Sequence, residues 1–134
     1  MKLVTGLRNA LAQAILDVID ASVSNPAALQ TYTGTMPEAM GETITDTLLV
    51  THTLPDPAGA VDAGTLTAGA IADQNAVADG TAGWARLVDG DGVEVAYFAV
   101  GVTGSGATIE MNSVECVTGV PVRITSFAFI IAGA

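Results

Sequence analysis

The segment Trp84-Ala85-Arg86-Leu87-Val88-Asp89-Gly90-Asp91-Gly92-Val93-Glu94-Val95-Ala96-Tyr97-Phe98-Ala99-Val100 settles the class of this fold. Two runs rich in β-branched and aromatic residues flank Asp89-Gly90-Asp91-Gly92, whose glycines supply the positive φ that a tight reversal needs. The spacing predicts a β-hairpin with Val93, Val95 and Tyr97 on one face and Glu94, Ala96 and Phe98 on the other. Trp84 and Arg86, two residues apart, share a face by the same rule. They read either as a surface anchor of the kind found in protein interfaces and carbohydrate sites, or as a core plug with a cation at its edge; the scarcity of other large residues favours the plug.

Toward the C-terminus, 101–106 is a glycine-rich turn, and short extended runs follow over 108–111 and 113–117. The final run, 120–132, alternates through Val122, Arg123, Ile124 and Thr125. It then becomes apolar on both faces at Phe127, Ala128, Phe129, Ile130, Ile131 and Ala132. A strand of that kind must be covered twice, either as a central strand with the helix over its outer face or by another subunit. Phe127, Phe129 and Ile131 are therefore candidate interface residues.

Toward the N-terminus the period changes. Leu3, Leu7, Leu11, Ile15 and Ile19 recur every four residues, with Ala14 and Val18 filling in beside them, which predicts an amphipathic helix over 3–22, stopped near Asn25-Pro26. Arg8, Asn9, Gln13, Asp17 and Asp20 fall largely on the other side. Arg8 lies near the start and Asp17 and Asp20 near the end, the reverse of what the helix dipole favours, so the helix must depend on packing its apolar stripe. Leu7, Leu11 and Ile15 join the candidate interface on that ground. Beyond Pro26, period-two runs over 29–33, 45–54 and 65–72 alternate small apolar residues with threonine, with loops over 34–43 and 73–83. The whole predicts one mainly-β domain over 1–134, with strands over 27–134. It reads as an antiparallel β-sandwich or jelly roll of about eight strands behind a single N-terminal α-helix.

Composition narrows the function. Fourteen acidic residues face four basic ones, for a net charge of −10, so a phosphate backbone or an anionic membrane surface would be repelled. No run approaches the roughly 20 apolar residues of a membrane span, and residues 1–9 lack the apolar run of a signal peptide. Cys116, the one cysteine, leaves no intrachain disulfide. These features predict a soluble domain made in the cytoplasm, whose acid keeps it dispersed or complements a basic partner.

No motif points to catalysis, so no catalytic, cofactor or metal residues are expected. His52, the single histidine, sits between threonines, and no Gly-x-Ser-x-Gly elbow occurs. Asp89, Asp91 and Glu94 lie close together but lack the ligand spacing of a calcium loop. One cysteine and one histidine do not make a zinc site.

Five motifs, taken in order, carry a resemblance: Gly6-Leu7-Arg8-Asn9-Ala10, Leu29-Gln30-Thr31-Tyr32-Thr33-Gly34, Trp84-Ala85-Arg86-Leu87-Val88-Asp89, Met111-Asn112-Ser113 and Val120-Pro121-Val122-Arg123-Ile124-Thr125-Ser126-Phe127. The chain resembles small proteins encoded among the structural genes of tailed bacteriophages. The likeness spans most of the chain, although 34–47 and 56–79 carry no matching pattern. It implies a non-enzymatic virion component assembled in the host cytoplasm. Capsid decoration (cement) comes first, with the major capsid protein as partner and a homo-oligomer, commonly a trimer, as the working form; a collar or tail component comes next. A carbohydrate-binding β-sandwich used in host recognition is the alternative.

Overall fold

The computed structural model describes residues 1–22 and 25–132. Val23, Ser24, Gly133 and Ala134 lie outside the described residues, so the last two positions of the expected strand region go untested. Among the described residues the chain forms helix α1 (Thr5–Ile19) and the strands β1 (Ala28–Thr33), β2 (Leu48–Thr53), β3 (Gly59–Asp62), β4 (Thr65–Ala68), β5 (Gln74–Asn75) and β6 (Gly80–Val88). They are followed by β7 (Glu94–Val102), β8 (Ile109–Met111), β9 (Glu115–Cys116), β10 (Pro121–Val122) and β11 (Ile124–Ile130).

Eight strands run in the order β2-β1-β6-β7-β8-β11-β4-β3, β9 adds to the start of β6, and β10 pairs β5 in a separate two-stranded ribbon. The sheet curls, so that Leu29, Leu49 and Leu87 from one half share a single core with Leu66, Ile109, Met111 and Phe127 from the other. The predicted hairpin is present as β6–β7. The expectation of an antiparallel sheet is corrected: β7 and β8 run parallel, with Val100 opposite Ile109 and Val102 opposite Met111. A parallel pair ordinarily needs a crossover of a dozen or more residues. Here β8 is three residues long, so the chain has to retrace only a few ångströms. Gly104 (φ 85°) and Gly106 (φ 84°) make that reversal, and Thr103 N–H and Oγ1–H both donate to the Met111 carbonyl to lock it.

Two further expectations change. β7 pairs Leu87 with Ala96 but Val88 with Glu94, a bulge that leaves Val95 without an opposite residue. Simple alternation therefore fails there: Glu94 and Tyr97, assigned to opposite faces, meet in a hydrogen bond from the Tyr97 hydroxyl to the Glu94 carboxylate.

The helix also turns a different face inward. Its buried residues are Arg8, Ala12, Leu16 and Ile19, whereas Leu7 and Leu11 are exposed. The cause lies in the β3–β4 turn, where Ala63 (φ 50°) and Gly64 (φ 78°) offer backbone groups that a polar helix face can satisfy. Arg8 Nη1 donates to Ala63 O at 3.1 Å, and Gly64 N–H donates to Asn9 Oδ1 at 2.6 Å. At the other end Asp20 accepts from Ala58 N–H at 3.0 Å. Arg8, expected on the solvated side, is thus a docking residue that is only 8% exposed.

Candidate functional site

Docking through Arg8, Asn9 and Asp20 leaves the far side of α1 standing beside the sheet. Between them runs a groove of about 690 Å³. Leu11, Ala14, Ile15 and Val18 form its helical wall. Leu87 on β6 and Val95, Ala96 and Phe98 on β7 form the floor, and Phe129 and Ile131 close the opposite side. Every lining side chain is apolar. The floor is held by an aromatic cluster: Phe98 stacks on Phe129 with centroids 5.6 Å apart and meets Phe127 edge-on at 5.2 Å. Phe127 itself is buried. The bulge has a direct consequence here, because it lets Val95 and Ala96, neighbours in sequence, both line the groove.

Of the eight residues the sequence nominated, Leu11, Ile15, Phe129 and Ile131 line this groove, Leu7 lies exposed on the same helix, and Phe127 underlies it. Trp84 and Arg86 are elsewhere. Trp84 has no exposed surface; it stacks on Tyr32 at 4.8 Å and meets Tyr97 edge-on at 5.0 Å. Its Nε1–H donates to Thr33 O at 3.1 Å and to Asp46 Oδ2 at 3.0 Å, which ties the loop between β1 and β2 to the sheet. The plug reading of Trp84 is the one its burial supports. Arg86 donates to Gln30 Oε1 at 2.6 Å and to Tyr32 Oη at 3.2 Å, and lies 3.9 Å from Glu94. Val95 escaped the sequence reading because alternation placed it on the face opposite Ala96 and Phe98 and hid the bulge. Ala14 and Val18 were legible as part of the helix's apolar set.

The remaining candidate chemistry is tied up within the chain. His52 is fully buried; its Nε2–H donates to Val122 O at 2.9 Å, and burial pulls the imidazole below its ordinary value. Cys116 is buried as well, and burial raises its thiol. The Asp89 carboxylate accepts from Asp91 N–H and Val93 N–H, each at 2.9 Å, so it caps the hairpin turn. Among the described residues no three His, Cys, Asp or Glu side chains are grouped to hold a metal ion. A second cavity, about 290 Å³, opens where the chain after β4 peels away from Ile124–Phe127 of β11; Thr67, Thr125 and Ser126 are its polar lining, and among the described residues no titratable side chain lines it. No described helix is long and apolar enough to cross a membrane. Neither protein-family models nor curated proteins nor solved structures match the chain.

Proposed function

We propose that this chain is a non-enzymatic assembly protein of a tailed-bacteriophage particle, acting first as a capsid decoration protein and second as a collar or tail component. It docks on neighbouring subunits through the groove beside α1. The observation that carries this reading is the wholly apolar lining of that groove, a surface of the kind that marks interaction sites. A ligand pocket ordinarily places a few polar groups to orient its occupant, and here none lines the wall. The charge of −10 disfavours nucleic acid, while the groove itself carries no charge, so a contact there is held by apolar burial. The sandwich or jelly-roll description belongs to the same proposal, with the two halves of the curled sheet as its facing layers.

A carbohydrate-binding role would draw its support from an exposed Trp84 or Tyr97; Trp84 is buried, and the half-buried Tyr97 packs edge-on against it with its hydroxyl donated to Glu94. The test is to purify particles from a lysate of the phage's host on a density gradient and quantify the chain by mass spectrometry. It is expected at a fixed copy number, and Val18→Asp, at an exposed position on the groove wall, is expected to lower incorporation with the fold retained by circular dichroism. Absence from the particles would sink the proposal.

A further inference from the structure

We infer that the occupant of the groove is helix α1 of a second copy of this chain, packed antiparallel across a two-fold axis; this rests on the assembly reading above. The helix has two apolar faces, and its own domain uses only one. Ala12, Leu16 and Ile19 are buried, while Val4 (73%), Leu7 (45%), Leu11 (42%) and Val18 (52%) are exposed, with Ala14 exposed among them. The exposed set is spaced three, four, three and four residues apart. That is the seam another helix packs against, not the pattern of a strand or a flat surface.

The seam is self-complementary. A two-fold axis through Leu11 sets Leu11 against its own copy, Val4 against Val18, and Leu7 against Ile15, beside the small Ala14. Each copy then supplies the ridge that fills the other's groove between α1 and Phe129, as an isologous contact requires.

Charge selects the antiparallel direction. The helix has no acidic residue in its first turn and no basic residue in its last, so its dipole is uncompensated within the chain. Lys2 precedes it and Asp17 lies near its end. An antiparallel copy opposes the two dipoles and brings each Lys2 toward the partner helix's acidic end. A parallel copy would align the dipoles and put like charges together. Arg8, Arg86 and Arg123 are engaged within their own chain, whereas Lys2 has no ion pair among the described residues and is available for this contact.

Sedimentation equilibrium of the full chain across concentrations is expected to show a reversible dimer. Leu11→Cys is expected to give a disulfide-linked dimer on mild oxidation, whereas Gln13→Cys, off the seam, and the wild type, whose Cys116 is buried, are not. Leu11→Asp is expected to give a monomer with unchanged circular dichroism, whose melting no longer depends on protein concentration as that of the wild type does. Lys2→Glu is expected to weaken the dimer by about three-fold per ion pair, with recovery in Lys2→Glu/Asp17→Lys. A monomer at every concentration, or an oligomer that leaves Leu11→Cys unlinked, a trimer included, overturns the pairing. If a monomeric chain is still incorporated into particles, the pairing fails and the assembly reading stands. If the chain dimerises but is absent from particles, the pairing stands and that reading fails.

Discussion

His52 donates from Nε2 to the Val122 carbonyl and leaves Nδ1 without a partner among the described residues, so a second proton would bury a charge with nothing to accept from it. Burial therefore holds the imidazole below its ordinary 6.5, although the Val122 carbonyl and Asp73 pull the other way. The folded chain thus takes up this proton at lower pH than the unfolded chain. The stability it contributes is full above pH 6.5 and is lost as pH falls from there through the lowered folded value, at up to about 1.4 kcal/mol per pH unit. Urea unfolding at about pH 7.5 and about pH 5.5 should show the wild type losing stability and His52→Gln losing much less; equal losses would assign the effect to other groups. Trp84 poses the complementary case, a buried polar group fully satisfied. Trp84→Phe strips the Nε1–H from both Thr33 O and Asp46, leaving a carboxylate with one donor fewer in a half-buried site. It should cost about 2–4 kcal/mol in thermal or urea unfolding, and a loss below about 0.5 kcal/mol would mean that the loop carrying Asp46 is held by something else.

The two faces of α1 differ in what they hold, and truncations separate them. Leu16→Ala, in the core, should cost about 2–5 kcal/mol, whereas Leu11→Ala should leave monomer stability within about 1 kcal/mol of wild type. The reverse order, read by circular dichroism melts, would mean that the helix packs on its other face. At the crossing of β6 with the loop after β1, a Cβ on Gly83 would overlap the Gly34 carbonyl oxygen, so Gly83→Ala should destabilise strongly and free the loop over Trp84. The helix and the hairpin were legible because each carries its own period over many residues, whereas the single run expected over 120–132 is divided into β10, which pairs β5, and β11, which joins the main sheet. The inward face of the helix was not, since both faces are apolar and the choice was made by backbone groups at Ala63 and Gly64, more than fifty residues away. The parallel β7–β8 pair was hidden for a related reason: a three-residue strand has no readable period, and its direction follows from how Gly104 and Gly106 turn the chain. Four of the ten residues lining the groove were nominated from sequence: Leu11, Ile15, Phe129 and Ile131. Its floor waited on the bulge at Val95, which nothing in the alternation of β7 announces.

For the whole molecule, the competing terms are an uncharged apolar contact and ten net negative charges on each copy. A chain of this length has a radius of gyration of about 14 Å, which puts paired centres about 30 Å apart. Treated as point charges in water, two such copies repel by about 14 kcal/mol unscreened, about 5 kcal/mol at 0.01 M salt and only about 0.3 kcal/mol at 0.15 M. An exposed Lys2–Asp17 pair contributes about 0.2–1 kcal/mol, so it sets the direction of packing while the long-range repulsion sets how affinity responds to salt. The self-association constant should therefore tighten steeply from about 0.01 M to about 0.15 M salt and change little beyond it. A basic partner in the same groove predicts the opposite sign, because its attraction to the acidic domain is what salt removes. Sedimentation equilibrium at both salt concentrations decides between them. A dimer that weakens as salt rises would mean that opposite charges, and not the seam on α1, hold the copies together.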